Sequence, residues 1–281
     1  MAILLTGSNG FLGNYLKGSL KGQNLLLFDR NKKDKIEWNS IKGIIHCAGL
    51  AHYSHNKSLK EIYFNANVEL TKELICAFLN SSAQFFIFLS TATIYENATI
   101  EDEIDESIIG NNLSVYAESK LLAECELLQV KSNKIFILRP SVIVGPNPKG
   151  NIQLLQKLVR SGLPIPVPFT SGTNQITDIR NLTLVIDYLI SNYDKIETGI
   201  YNVNDNKKPD FRNLLIKIGE QEGVKANIFR APNFIFKIAL FLLRLIKPEL
   251  SKKISTLLFQ SSNISNRKIS KLIPLPYNSF E

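Results

Sequence analysis

Ala2-Ile3-Leu4-Leu5-Thr6-Gly7-Ser8-Asn9-Gly10-Phe11-Leu12-Gly13 opens the chain, and its reading decides the fold. Four apolar residues form a short strand, three glycines at GxxGxxG spacing form a turn, and a helical pattern runs on through Leu20. A dinucleotide-binding fold needs this order. The first glycine allows the turn, the second lets a pyrophosphate approach the backbone, and the third lets the helix pack on the strand. The apolar run leads directly into glycines, without the charged start and cleavage site of a secretion signal, so this end is read as structural.

Working outward, Leu25 to Phe28 reads as a second strand ending at Asp29, about twenty residues beyond the glycines, where an acid accepts hydrogen bonds from the adenosine ribose. The same charge repels a 2'-phosphate, so NAD(H) is favoured. Arg30 keeps NADP(H) open, because a guanidinium can stack on adenine or accept that phosphate. Gly43 to Gly49 reads as a third strand, ending in Cys47, Ala48 and Gly49, where backbone can come close to a ligand. Glu61 to Asn80 is helical by pattern, with Ile62, Val68, Leu70, Leu74, Ile75 and Leu79 as its buried face. Gln84 to Leu89 and Lys134 to Pro140 are further apolar strands, the first ending at Ser90-Thr91-Ala92-Thr93-Ile94-Tyr95. Strands alternating with helices at this pace imply an α/β fold with a Rossmann-like, doubly wound parallel sheet.

Past Pro146 the rhythm changes. Gln153 to Arg160, Leu182 to Ser191 and Phe211 to Glu222 read as helices, Gly199 to Val203 as a strand, and Pro164, Pro166 and Pro168 as an extended loop. The expected organisation is a dinucleotide-binding domain over 1–146, with segments of about 175–205 returning to it. The remainder, 147–281, is expected to be a smaller, mostly helical substrate-binding part.

Tyr116-Ala117-Glu118-Ser119-Lys120 places a phenol and an amine one turn apart on one helix face, an acid and a base in register. The carrier is Leu113 to Lys131, where leucines at 121, 122, 127 and 128 alternate with glutamates as in an amphipathic helix.

Composition narrows the function classes. With 281 residues and 44% hydrophobic content the chain can bury a sizeable core. Three scattered cysteines argue for a reducing, cytoplasmic setting rather than a disulfide framework. His46, His52 and His55 match no metal-ligand spacing, so no metal is expected. The net charge of +8 is concentrated late: residues 230–281 hold nine Lys/Arg and two Glu, a net of +7. The excess accompanies an apolar helix rather than spaced aromatic stacking positions, so no nucleic-acid partner is expected. That helix, Phe234 to Lys247, is too short to span a bilayer. It is read as a buried helix of the substrate-side part, with peripheral membrane contact through 234–247 on the cytoplasmic face as the alternative.

The glycine motif, Ser90 to Tyr95, Tyr116-xxx-Lys120 and Leu138-Arg139-Pro140-Ser141-Val142-Ile143-Val144-Gly145-Pro146 occur in an order that resembles the extended short-chain dehydrogenase/reductases, in their NAD-dependent epimerase/dehydratase branch. Asn67-Val68-Glu69-Leu70-Thr71 resembles that family's NVxGT segment, and Leu272 to Tyr277 its C-terminal LGWxP element. The resemblance implies Tyr116 as general acid/base, Lys120 as the charge that lowers its pKa and holds the nicotinamide ribose, and Thr91 as the hydroxyl on the reacting oxygen. It implies cofactor contacts from Gly7, Asn9, Gly10, Phe11, Leu12, Gly13, Asp29, Arg30, Cys47, Ala48, Gly49, Asn67, Tyr116, Lys120, Pro140 and Val142.

Two departures from the family stand out. The segment between Asp29 and Gly43 is short, leaving the adenine contacts unassigned. No arginine sits in register near Asn174 to Thr177 to grip a substrate diphosphate, which leaves Arg160, Arg180 and Arg212 as substitutes. Arg160 to Pro166 and the helix after Asn233 resemble a group that reduces UDP-4-keto-6-deoxy-N-acetylhexosamines at C4 in bacterial surface-polysaccharide (O-antigen or capsule) synthesis. The alternatives are a 4-epimerase of a UDP-N-acetylhexosamine or polyprenyl-diphosphate-linked sugar with retained NAD, and a non-catalytic NAD-sensing protein. Relatives dimerise through helices, and Leu113 to Lys131 is the candidate here.

Overall fold

Strands and helices alternate through the computed structural model, which describes every residue except 52–58, 99–102, 132–133, 149–150, 174, 207, 247–250, 252–253, 256–257, 259–262 and 278–281. His52 and His55 therefore lie outside the described residues. The first half runs β1 (Ala2–Thr6), α1 (Phe11–Ser19), β2 (Leu25–Leu27), β3 (Ile41–His46), α2 (Leu59–Phe64), α3 (Leu70–Leu79), β4 (Phe85–Leu89), α4 (Val115–Leu128) and β5 (Lys134–Pro140). The second half runs β6 (Val142–Val144), α5 (Asn151–Arg160), β7 (Ile165–Pro168), β8 (Ile176–Asp178), α6 (Ile179–Asn192), β9 (Gly199–Val203), α7 (Phe211–Gln221), β10 (Ile228–Ala231) and α8 (Asn233–Ile246).

Six strands form one parallel sheet in the order β2-β1-β3-β4-β5-β9. Successive residues of each strand serve opposite faces. Ile3, Leu5, Ile45, Phe85 and Ile87 pack with α1 and α6, while Leu4, Ile44, Phe86 and Phe88 pack with α3 and α4. Each fully buried phenylalanine contributes roughly 2–3 kcal/mol. The chain leaves β1 for β2 and then crosses to β3 on the other side. The order reverses between β1 and β3, and the crevice for a ligand opens at their carboxyl ends. Thr6 pairs with His46, so Gly7 and Cys47 emerge there together.

Between β2 and β3 the short segment forms two 3-10 turns, Arg30–Lys35 and Trp38–Ser40, with Asp29 capping the first through the amide of Asn31. A third core joins α5, α7, β7 and β8 through Leu155, Val159, Val167, Leu215 and Ile218.

Four expectations are corrected. The helix over 61–80 contains a π turn, Asn65–Glu69, and its extra residue rotates the face before it. Tyr63 and Phe78 are buried, while Ile62 and Leu79 face solvent. The proline stretch is strand β7, paired in parallel with β10. Ile165 donates its amide to Asn227 across the ladder, which turns the alternate nitrogens of Pro166 and Pro168 away from the partner.

On α4 the inward face is Ala117, Ser119, Lys120, Ala123, Glu124 and Leu127, with Leu122 and Leu128 outside. Buried partners for Lys120 and Glu124 make this possible. Finally, α8 has no buried residue; Phe234, Ile235, Ile238, Phe241, Leu242, Leu245 and Ile246 are all exposed. Among the described residues its opposite edge reaches the third core through Phe236.

Candidate active site

The glycine turn is built by close approach. Gly7 has φ +70°, and a Cβ there would lie 2.6 Å from the amide nitrogen of Ala48. A Cβ on Gly13 would lie 2.2 Å from the carbonyl oxygen of Gly7, so any side chain at either position would part α1 from the sheet. Gly10 is the N-cap of α1 and, with no side chain of its own, makes no cap bond to the first amides of the helix. This cradle fits a dinucleotide pyrophosphate. Asn9 is exposed and Phe11 half-buried, while the Leu12 side chain belongs to the core, so only its backbone faces the turn.

The strand end beside it is held by a buried histidine. Thr6 Oγ1 accepts the Ala48 amide at 3.0 Å and lies 2.7 Å from His46 Nδ1, and His46 Nε2 is 3.0 Å from Thr71 Oγ1. Thr71 gives its own proton to the Asn67 carbonyl, so Nε2 must be the protonated ring nitrogen and Nδ1 the acceptor from Thr6. Burial, and then the charge of Lys120, hold this imidazole well below its usual pKa, consistent with a neutral ring.

Asn67 sits in the π turn. Its amide group donates to Ser119 Oγ at 2.8 Å and to the Leu50 carbonyl, and its oxygen accepts the Leu50 amide at 2.7 Å. With donors and acceptor engaged by the chain, Asn67 ties the Ala48–Leu50 strand end to α4. Cys47 is a free thiol that burial pushes up to about 12, which leaves it unreactive.

Thr91, Tyr116 and Lys120 come together at the carboxyl ends of β3 and β4. Thr91 caps the turn Ala92–Tyr95 with its hydroxyl 2.8 Å from that of Thr93, and its side chain is near enough to the Tyr116 phenol to lower its pKa. Burial pushes Tyr116 up to about 12, against the lowering effect of Thr91, so it is protonated at neutral pH. Lys120 donates to the Leu89 carbonyl at 2.7 Å and lies over the Phe88 ring at 4.5 Å. Burial brings Lys120 down to about 8, with Cys47 and Glu124 opposing the shift. A Cβ on Gly49 would come within 2.9 Å of Asn67 Oδ1 and 3.1 Å of the Lys120 amine, so a side chain there would crowd both. The hydroxyls of Ser90 and Ser141, directly after β4 and β5, are buried without a hydrogen-bond partner among the described residues, and a polar ligand at this edge would satisfy them.

Behind the pair stands a clamp that the sequence pattern did not reveal. Glu124, one turn beyond Lys120, receives two arms of the Arg139 guanidinium at 3.0 and 2.6 Å. Arg139 also donates to Tyr95, whose hydroxyl donates to Asn202 at 2.6 Å. These groups lock α4 to β5, β9 and the turn Ala92–Tyr95. The available signal was the i, i+4, i+8 series Tyr116, Lys120, Glu124 on one helix face.

The remaining candidates are more peripheral. Asp29 caps the first 3-10 turn, and Arg30 pairs with Glu73 at 3.3 Å across an exposed surface. Pro140 ends β5, and Val142 is half-exposed in β6. Of the arginines considered for a diphosphate, Arg180 forks Asp178 and lies over Tyr277, Arg160 pairs with Glu222, and Arg212 is exposed on α7. Asn174 lies outside the described residues.

Comparison with known proteins gives a match to the model of the NAD dependent epimerase/dehydratase family over residues 3–203. The chain is 27% identical to a UDP-glucose 4-epimerase of Vibrio cholerae over 237 residues, covering 73% of this chain and 70% of that protein. It is also 27% identical to an N-acetyl-alpha-D-glucosaminyl-diphospho-ditrans,octacis-undecaprenol 4-epimerase of Escherichia coli O157:H7, over 61% of this chain and about half (52%) of that protein. Among solved structures it is similar to a dTDP-4-dehydrorhamnose reductase of Bacillus anthracis in complex with NADP. The TM-score is 0.73 at 17% identity, covering 97% of this chain and 93% of that one.

Proposed function

Because the chain belongs to the NAD-dependent epimerase/dehydratase family, we propose that it is a nicotinamide-dependent enzyme that reduces the C4 ketone of a UDP-4-keto-6-deoxy-N-acetylhexosamine in bacterial surface-polysaccharide synthesis. The observation that carries the reading is Thr91, Tyr116 and Lys120 gathered at the carboxyl edge beside the glycine cradle. A bound nicotinamide dinucleotide supplies or accepts the hydride. The turn that Gly7 and Gly13 make possible would hold its pyrophosphate, with Gly10 at the closest approach, and Asp29 would hold its adenosine ribose. Asp29 favours NAD(H), and the engagement of Arg30 by Glu73 adds weakly to that preference, since the pair is exposed.

The protein's part in the reaction is proton transfer. As hydride reaches C4, the carbonyl oxygen gains charge and takes the Tyr116 proton, while the Thr91 hydroxyl steadies the developing alkoxide. A phenol held protonated at neutral pH suits the reductive direction, in which Tyr116 starts as the acid. Lys120 is charged at pH 7, but its amine is given to the Leu89 carbonyl and contributes nothing to the shift of Tyr116, so the expected support of the phenolate by Lys120 would need the amine to turn toward it.

A second reading is a 4-epimerase with retained NAD, on a UDP-sugar or a polyprenyl-diphosphate-linked sugar. It is supported by the reactions named for the two curated relatives and, for the lipid-linked case, by the exposed stripe of α8. The test is reduced-nicotinamide absorbance on adding the UDP-4-keto sugar, with NADH and NADPH in separate cuvettes. Stoichiometric oxidation of NADH is expected. No oxidation of either, with NAD released on denaturation, would replace the reductase by the epimerase.

A further inference from the structure

Helix α8 carries a feature that has no part in the transfer of hydride and proton at C4. At about 100° per residue its exposed apolar side chains, among them Phe234, Ile238, Phe241, Leu242 and Leu245, cover an arc of roughly 140°. Phe241 is 64% and Leu245 70% exposed. The opposite arc holds Phe236, Leu240 and Leu243, which are half-buried, and Phe236 packs against the third core. Lys237 and Arg244, two turns apart, share one border between the arcs and are exposed. No acidic residue occurs from 223 to 248, a stretch that contains Lys225, Arg230, Lys237, Arg244 and Lys247.

The geometry points to α8 as an interfacial anchor that docks the protein on an anionic phospholipid surface, helix in the membrane plane, with Lys237 and Arg244 reaching the headgroups. An outward apolar stripe edged by cations is the arrangement that such binding requires. Spanning is ruled out for this helix, since 14 residues reach about 21 Å against a hydrocarbon core of about 30 Å. Among the described residues no helix is long and apolar enough to cross a membrane. A second copy of the chain is a poorer occupant, because joining two such stripes would bring two acid-free, positively charged segments together. An anionic surface is attracted by the same charges.

The test is flotation of the full chain with vesicles of phosphatidylcholine alone and of equal parts phosphatidylcholine and phosphatidylglycerol. It needs no sugar substrate, so it is independent of the proposed reaction. Enrichment with the anionic vesicles, weakened by salt, is expected. Lys237→Gln with Arg244→Gln should lower partitioning about 30-fold, from about 1 kcal/mol per basic residue near the surface. Phe241→Ser with Leu245→Ser should abolish it, while the thermal transition and turnover stay at wild-type values. Wild-type protein that stays with neither vesicle would overturn the proposal, whatever the variants do. So would a dimer that Phe241→Ser with Leu245→Ser dissociates in the absence of lipid binding, which would assign the stripe to a second copy.

Discussion

Helices α6 and α8 are both 14 residues long and both amphipathic, yet they end in opposite environments. In α6, Ile179, Leu182, Val185, Ile186, Leu189 and Ile190 are buried against the sheet, together with Asn181. In α8 nothing is buried, and the widest apolar arc points outward. The period of apolar residues establishes that a helix has a greasy side. Whether that side meets the protein depends on what the rest of the chain has already covered. A helix such as α6 stabilises the fold; a stripe like that of α8 leaves apolar surface for something outside it.

The contrast makes ranked predictions. The largest effect belongs to the inward helices. Tyr116→Phe on α4 should lower turnover about 10²–10⁴-fold while cofactor binding, followed by nicotinamide fluorescence, stays near wild type. A fully active variant would remove Tyr116 from the chemistry. Next, Ile186→Ala on α6 should cost about 2–5 kcal/mol in a denaturant titration, as expected of a cavity in a packed core.

The third prediction concerns pH. Lys120 is held at about 8 in the folded protein against an ordinary 10.5, so between those values the folded state binds fewer protons than the unfolded chain. Its contribution to stability therefore rises with pH through this window, and the penalty for burying its charge is at full strength below pH 8. The stability difference between wild type and Lys120→Met should move in favour of wild type, on the order of 2 kcal/mol, between pH 8 and pH 10. Tyr116, raised to about 12, opposes this trend only above pH 10. A difference that does not change with pH would mean that the amine is not desolvated in solution.

The smallest effect should be at α8. Phe241→Ser should alter stability by less than about 0.5 kcal/mol, because an exposed side chain has little packing to lose. A cost near that of Ile186→Ala would break the comparison and place α8 in a folded interface.

Much of the dinucleotide half was legible in the residues. Gly7 and Gly13 mark positions where backbone meets backbone, a demand that shows in sequence because only one residue type meets it. The apolar strands Phe85–Leu89 and Lys134–Pro140 were legible because both of their faces are buried. The inner face of α4 was not. Leucines suggested one side, but Lys120 and Glu124 occupy the interior because Leu89 and Arg139 supply partners from other strands. Strand β7 was missed for a related reason. Prolines argue against a strand until a ladder is known in which their nitrogens point away from the partner.

By itself, then, the sequence determined the features that depend on near neighbours along the chain: the strand–turn–helix opening, the alternation of elements, and the one-turn spacing of Tyr116 and Lys120. Tertiary structure alone decided which side of each helix faces inward, where Arg139 finds Glu124, and that α8 turns its apolar arc to the outside. The division follows from the physics. Backbone geometry and periodicity are local, while desolvation of a side chain is set by whatever packs opposite it, from anywhere in the chain.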